Sequence, residues 1–445
     1  MLRIAVVGSG PAGVYATEAL LRHGDVSVDV LDRLPAPYGL VRYGVAPDHV
    51  KIRSISTALA AILEDPAVRF LGNVDVGADL TLEDLQRHYD AVVLAGGAAV
   101  DRRLGIPGED LPGSYSATDF VAWYNGHPDA PLDRFVLNAR RVAVLGVGNV
   151  AVDVVRLLAK TTGELRDTDM PDHVLEVLAA SAVEDIAMIG RRGPAQAKFT
   201  TKELRELGEL ADADVVVDDG DLELDEASAQ LVAEKPAVRR NVEVLREWAT
   251  RTPVGRSRRI HVRFWLQPVE ILGADQVSGL VVEKTALDPS GAAVGSGQTS
   301  TVDADMVFRS VGYQGVPMLG LPFDERQGVI SNVEGRVVRA GAPVPGVYVA
   351  GWIKRGPTGV IGTNKHDARE TVAAVLADAP SLPPAPVRDP DAVLALLHER
   401  GVQAVSWEGW QAIDVAETEL GRQQGRQRGR ISDRQALLRA AASQR

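Results

Sequence analysis

Short apolar runs rich in β-branched residues alternate along this chain with longer stretches of helical period. Residues 3–7 form the first apolar run, residues 8–13 break it with glycines, and residues 14–22 carry apolar positions at helical spacing until Gly24. A second apolar run, 26–31, ends at Asp32, and a third, 91–95, meets Gly96 and Gly97. The pattern then repeats: a strand over 141–145, a turn over 146–148, a helix over 149–159 and a strand over 184–189 that ends before Arg191 and Arg192. Residues 160–182 read as an insertion with further helix. Further strands are predicted within 262–282, over 305–311, and over 347–350, the last ending at Gly351-Trp352. Pro- and Gly-rich stretches mark boundaries near 106–113 and 315–322, and 380–390 reads as a proline-rich linker before a helical tail.

Strand–helix alternation of this kind predicts an α/β protein with mostly parallel sheets. Two βαβ units stand far apart, and the strand at 347–350 returns after the second. That order predicts interleaved domains: a first domain over 1–103, a second inserted over 104–315, and completion of the first over 316–445, with the helical tail attached.

A chain of 445 residues is too long for one core. Its 45% hydrophobic and 24% charged residues are those of an ordinary globular protein. No basic-then-apolar leader precedes the first strand, so a cytoplasmic location is expected. The chain has no cysteine, which removes disulfides, thiolate metal sites and a dithiol relay. Redox chemistry would therefore need an organic cofactor or a partner. A net charge of −12 argues against a nucleic-acid binder.

The glycine breaks carry the chemistry. Gly8-Ser9-Gly10-Pro11-Ala12-Gly13 fits GxGxxG between strand and helix, where backbone amides can approach a pyrophosphate. Asp32 closes the second strand, where an acid bonds ribose hydroxyls and repels a 2′-phosphate; this site therefore suits FAD or NAD. Gly146-Val147-Gly148-Asn149-Val150-Ala151 fits GxGxxA in the same setting. Here Arg191 and Arg192 stand where the acid would be, offering planar charged donors to a 2′-phosphate. Their flanking glycines, Gly190 and Gly193, read as freeing the backbone to turn so that both guanidiniums reach one phosphate. The second site should thus prefer NADPH. Two nucleotide sites of opposite charge preference point to hydride transfer from NADPH to FAD, a step that depends on ring stacking more than on a strong acid or base.

Seven stretches spread over the chain resemble the adrenodoxin-reductase-type ferredoxin–NADP(+) reductases, above all their bacterial, mycobacterial-type members. They are "VVGSGPAGVYA" (6–16), "PYGLVRYGVAPDH" (37–49), "GIPGEDLPGS" (105–114), "DFVAWYNGHPD" (119–129), "GVGNVAVDVVR" (146–156), "IGRRGPAQAKFTTKELREL" (189–207) and "AGWIKRGPTGVIGTNKHDA" (350–368), joined in the tail by "GWQAIDVAE" (409–417). The resemblance implies two Rossmann-like domains, the NADPH domain inserted into the FAD domain. It implies that Trp352, Gly359, Val360 and Ile361 contact the flavin, with Gly359 also near NADP, and that Leu40 and Val76 line the FAD site. It places His49 and Glu206 at the flavin–nicotinamide contact as proton-handling groups, and Glu203 near the NADP ribose or nicotinamide. From the residues alone, His49 reads as an exposed loop histidine and Glu203 and Glu206 as a solvated face of a helix over 201–210. Gly359 reads as opening a helix through 374 whose amides face the flavin. Trp352 stands where many flavin disulfide reductases carry Gly-Asp, which sets the chain apart from them.

A ferredoxin partner is usually acidic, so a chain of −12 needs a local basic patch. Arg251, Arg256, Arg258, Arg259 and Arg263 occur without an intervening acid, as do Arg422, Arg426, Arg428 and Arg430. The first patch is the expected docking face, since docking in this family lies between the domains; a basic loop without a partner is the competing reading of either. Two other functions stay open on the residues: an NADPH-dependent diaphorase with a non-ferredoxin acceptor, and a nucleotide-controlled redox sensor.

Overall fold

A computed structural model describes residues 1–318 and 320–443. Two large sheets organise it. The first has seven strands in the order 332–333, 336–339, 342–349, 91–94, 2–7, 26–32 and 68–72. The last five run parallel, with Ile4 beside both Val28 and Ala91, and Tyr348 beside Val93. The second sheet, all parallel, has six strands in the order 114–116, 306–309, 141–145, 185–189, 258–263 and 213–217.

The apolar runs are continuous because both sheet faces are covered. In the strand Leu2–Val7, Ile4 and Val6 pack with Val14 and Leu20 of the helix Pro11–Leu21 and with Ala368 and Val372 of the helix Thr363–Asp378. Ala5 and Val7 point the other way, into a cluster with Leu31, Leu94 and Val349. The strand Arg141–Leu145 divides likewise: Val142 and Val144 face helices, while Ala143 and Leu145 face Ile271, Leu280 and Val282.

Those last residues belong to a separate antiparallel sheet of three strands, Leu266–Leu272, Gly279–Leu287 and Ala293–Val302. The strands expected within 262–282 thus divide between two sheets. The strand Ala293–Val302, unforeseen from sequence, is an edge whose residues are mostly exposed and polar, so no apolar run announces it.

The interleaving is visible in the first sheet. The chain leaves it after Leu94 and re-enters it at Asn332, and Val347 then pairs with Val92. At the crossing, residues 100–101 pair antiparallel with 313–314. The stretch 380–390 is not a free linker. Asp90 accepts hydrogen bonds from the Ala385 amide (2.8 Å) and Arg388 (2.5 Å), and the Val387 amide donates to the Arg87 carbonyl (2.9 Å). The tail beyond it is structural too. Trp410, Ile413 and Leu437 lie in the core of the first sheet, and residue 405 bridges to Gly72.

Candidate active site

Each glycine break sits at the carboxyl end of its sheet. Gly8 has φ +112°, and a Cβ there would lie 2.5 Å from the Ala95 carbonyl oxygen. Gly146 has φ +140°, and a Cβ there would lie 2.2 Å from the Ser310 carbonyl oxygen. The same backbone crowding therefore enforces glycine at both first positions. The middle glycines differ in kind. A Cβ on Gly10 would meet only the Gly39 Cα at 3.8 Å, and one on Gly148 would meet nothing within 4 Å. Both helices that follow, Pro11–Leu21 and Asn149–Ala159, lack a side-chain cap. Open space before an uncapped helix start suits a pyrophosphate, so the residues present fit a dinucleotide at both places.

Asp32 closes the strand Val26–Asp32 as expected and also braces the first turn: it accepts from the Ser9 amide (2.8 Å), the Ser9 hydroxyl (2.6 Å) and the Leu34 amide (2.9 Å). Leu40 opens the short helix Leu40–Tyr43 directly behind Gly39, whose own Cβ would press on the Gly10 Cα at 3.0 Å. Val76 is buried in a cluster with Leu31 and Leu71. The chain returns to this cradle at Gly351, where a Cβ would lie 2.5 Å from the Ala12 Cβ. Trp352 follows, its Nε1 donating to the Thr358 carbonyl (3.2 Å) and its ring 5.5 Å from Tyr313.

The helix expected to open at Gly359 begins at Thr363. Gly359 has φ +82°, a conformation outside the helix, and the Val360 amide donates to the Thr363 hydroxyl (3.1 Å). Gly359, Val360 and Ile361 thus form a turn that leads into the helix, with Val360 64% exposed.

Arg191 is exposed and Arg192 half-buried at the end of the strand Asp185–Ile189, which pairs directly with Arg141–Leu145. Among the described residues neither guanidinium has an ion-pair or hydrogen-bond partner. The flanking glycines have a steric cause and not a conformational one. Gly193 has φ −73°, and Gly190 is not among the positive-φ glycines. A Cβ on Gly190 would lie 2.9 Å from Val147 Cγ1, and one on Gly193 would lie 2.1 Å from Trp265 Cζ2.

The segment after Gly193 lies over the second cradle. The Lys198 amide donates to the Val147 carbonyl (2.9 Å) and the Thr200 amide to Asn149 Oδ1 (2.9 Å). Val150 packs against the core beneath. Thr200 then caps the helix Thr201–Gly208, its hydroxyl accepting from the Glu203 amide. That helix turns Glu203 and Glu206, one turn apart, toward His49.

His49 is buried and is therefore not an exposed loop histidine; Glu203 is buried and Glu206 largely so, so they do not form a solvated face. His49 Nε2 lies 2.9 Å from Asp153 Oδ1 and 3.2 Å from Glu203 Oε2, and its Nδ1 lies 3.9 Å from Glu206 Oε2. Arg156 donates to Asp153 (2.6 Å) and to Asp48, which also accepts from Lys160 (2.6 Å). Burial works against a charge on His49, but the Asp153 and Glu203 carboxylates outweigh it and hold the imidazolium up to about 9. Burial likewise would raise Glu203, yet its contact with His49 keeps it below the usual carboxylate range. A protonated His49 carries a hydrogen on each ring nitrogen, so the 2.8 Å approach of Arg156 Nη2 to His49 Nε2 is a like-charge contact neutralised by their shared acceptor, Asp153 Oδ1. A polar cleft of about 220 Å³ lined by Asp48, His49, Arg156, Lys160 and Glu206 opens here. His49, Glu203 and Glu206 present donor atoms within 4.8 Å of one another, a spacing usable by a cation; Arg156 already supplies that charge.

Asp48, Asp153, Arg156 and Lys160 escaped the sequence reading. A signal existed for two of them: Asp153 and Arg156 interrupt an otherwise apolar helix, one turn apart on one face.

The two basic stretches fare differently from expectation. Arg251 pairs with Glu247, Arg259 with Asp185 and Arg263 with Asp221, while Arg256 donates to the carbonyls of Leu210 and Ala213. The fold thus returns to this patch the acids that its sequence lacks. Arg426 and Arg430 are buried, Arg428 is largely so, and all three are ion-paired, and Arg422 is bound to Glu419. Arg426, Arg428 and Arg430 are internal architecture and not a free basic surface, while Arg422 is exposed and paired with Glu419.

Two glycine turns of dinucleotide-binding type with opposite charge at the following strand ends, together with a buried histidine cluster beside the helix of the second, define a flavin- and pyridine-nucleotide-dependent oxidoreductase. Residues 2–192 match the pyridine nucleotide-disulphide oxidoreductase family model. The chain is 44% identical over 457 residues to NADPH-ferredoxin reductase FprA of Mycobacterium tuberculosis, covering 98% of each, and 39% identical to the mitochondrial NADPH:adrenodoxin oxidoreductase of Arabidopsis thaliana, covering 99% of this chain and 96% of that one. It superposes on a structure of Mycobacterium tuberculosis FprA in complex with NADPH with a TM-score of 0.92, at 44% identity and 99% coverage of both chains. The chain belongs to the NADPH–ferredoxin reductase family of adrenodoxin-reductase type.

Proposed function

We propose that this protein is an FAD-containing NADPH:ferredoxin oxidoreductase, which takes hydride from NADPH and delivers single electrons to an iron–sulfur protein of ferredoxin type. The observation that carries this is the matched pair of cradles: Asp32 follows one, and unpaired Arg191 and Arg192 follow the other. When bound, the flavin supplies the exchange between a two-electron hydride and single electrons.

In this reading residues 1–103 and 316–445 form the FAD domain and residues 104–315 the inserted NADPH domain. The amides around Gly8, Gly10, Pro11, Ala12 and Gly13 hold the FAD pyrophosphate, and Asp32 holds its ribose. Leu40, Val76, Trp352 and the turn Gly359-Val360-Ile361 surround the ring system. Gly146, Gly148, Asn149 and Val150 hold the NADP pyrophosphate, and Arg191 and Arg192 its 2′-phosphate. Glu203 reaches the nicotinamide end, and Gly359 borders it. His49, kept protonated by Asp153 and Glu203, holds a proton at Nδ1 toward Glu206, and this pair supplies or takes the proton that accompanies electron transfer. Docking of an acidic ferredoxin near Arg251, Arg256, Arg258 and Arg259 belongs to the same proposal; with Arg251 and Arg259 already paired to acids, the attraction is weak and salt-sensitive. A cytoplasmic place of action is part of it as well, because NADPH-driven reduction is chemistry of reducing compartments. Among the described residues no helix is long and apolar enough to cross a membrane.

The test is direct. The purified protein should be yellow, be bleached far faster by NADPH than by NADH, and reduce cytochrome c only when ferredoxin is added. Absence of flavin ends the proposal. Fast quinone reduction with no ferredoxin-dependent turnover supports the diaphorase reading instead.

A further inference from the structure

Glu417, in the helix Trp407–Gln423 of the tail, has no solvent exposure. Its carboxylate accepts from Arg42 Nη2 (2.6 Å) and Nη1 (3.1 Å), from Arg428 Nη2 (2.6 Å) and Nε (3.2 Å), and from the Ile431 amide (3.0 Å). Arg430 Nη1 lies 3.7 Å away. Arg430 also binds Asp169, which takes Arg53 Nη1 at 2.5 Å. The neighbouring Arg426 donates to the Met170 carbonyl (2.7 Å) and to Asp172.

The origin of each partner matters more than their number. Arg42 lies in the helix Leu40–Tyr43, which begins at the glycine pressed against Gly10 of the first cradle. Arg53 ends the helix Val50–Arg53, whose N-cap is His49. Asp169, Met170 and Asp172 belong to the excursion that follows Asn149–Ala159, the helix of the second cradle. One buried carboxylate and its arginines therefore tie both cradles and the histidine helix to the tail. Buried ion networks return little net stability over an apolar core of the same shape, but they specify one geometry, because any displacement leaves a charge unpaired away from water. Hydride transfer demands such specification: reacting atoms must lie ~3–3.5 Å apart, and ~1 Å of misplacement can cost about 100-fold in rate.

We propose that Glu417 is a positioning residue for the reaction: through Arg42, Arg428, Arg430 and Asp169 it sets the spacing of the two nucleotide sites, so that hydride transfer proceeds without a rotation of one domain against the other. This rests on the oxidoreductase reading above.

The experiment is stopped-flow flavin reduction of the holoenzyme over a range of NADPH concentrations, with flavin content measured for each variant. Wild type first tests the parent reading: if NADPH does not reduce its flavin, that reading fails and the inference is not reached. For Glu417→Gln the expected result is full flavin occupancy, an NADPH dissociation constant within about twofold of wild type, and a limiting reduction rate lowered on the order of 10–100-fold. Asp169→Asn approaches the same network from the NADPH side and should give the same split. Arg430→Lys, which keeps the charge, should lower the rate less than either carboxylate variant does. If Glu417→Gln does not retain flavin, Asp169→Asn alone decides. An unchanged limiting rate in flavin-replete Asp169→Asn overturns the proposal, as does weakened NADPH binding with the limiting rate intact.

Discussion

The two cradles share a backbone turn and differ in the residues set around it. Gly8 and Gly146 adopt the same left-handed conformation against the same kind of neighbour, a carbonyl at the end of the adjoining strand. The third motif position separates them: a Cβ on Gly13 would lie 1.8 Å from the Gly8 carbonyl oxygen, whereas Ala151 fills that place in the second cradle at full burial. The strand-end residues separate them further. Asp32 is engaged with Ser9 and Leu34, while Arg191 and Arg192 remain free of protein partners among the described residues. In the proposed reading, backbone geometry makes a dinucleotide site and the charge one strand later selects the dinucleotide.

This contrast can be broken at the backbone. Gly13→Ala drives a methyl group into a main-chain oxygen and should cost several kcal/mol, with loss of flavin and a lowered unfolding temperature. Gly148→Ala meets open space and should leave the fold intact while weakening NADPH binding, where the pyrophosphate would approach. Equal destabilisation by both would contradict the distinction. Calorimetry with flavin content reads the first effect and NADPH titration the second.

Arg191→Ala together with Arg192→Ala should reduce the NADPH-over-NADH preference by about 100-fold or more, from two charge-assisted contacts of ~1.5–3 kcal/mol each. Flavin reduction by saturating NADH should hardly change. A preserved preference would move the 2′-phosphate site elsewhere.

Raising the pH should have the smallest effect, acting on the cluster around His49. The folded His49 titrates near 9, above its ordinary value of ~6.5. Because the folded value is raised, the cluster's contribution to stability is complete below ~6.5 and is lost as pH rises through about 9. Unfolding temperatures measured across that window should fall for wild type. For Asp153→Asn, which removes the nearest carboxylate, the fall should start at the same pH but be smaller and end at lower pH. Identical profiles would detach His49 from Asp153.

Much of this is legible from pattern alone. The strand Arg141–Leu145 and the helix Asn149–Ala159 match their sequence-based bounds to the residue, because glycines and β-branched runs act locally. The helix Thr201–Gly208 is equally clear in the sequence, but its direction is not. Glu203 and Glu206 look solvated there because nothing nearby in the chain shows that His49 sits opposite them. The edge strand Ala293–Val302 and the anchoring of residues 380–390 escape pattern reading for a related reason: both depend on partners distant in the chain.

Pattern and motif were enough to place the two glycine turns, the acid and the arginines at the strand ends that follow them, and the interleaved order of the units, since each is written in short stretches whose backbone chemistry is local. The remaining features depend on the fold. It placed Trp265 and Val147 where Gly193 and Gly190 leave room. It gathered His49, Asp153, Glu203 and Glu206 from three segments into one cluster. It turned one arginine-rich stretch inward around Glu417 and neutralised the other with Glu247, Asp185 and Asp221. A charge takes its meaning from the groups within a few ångströms of it, and for these residues those neighbours come from far along the chain.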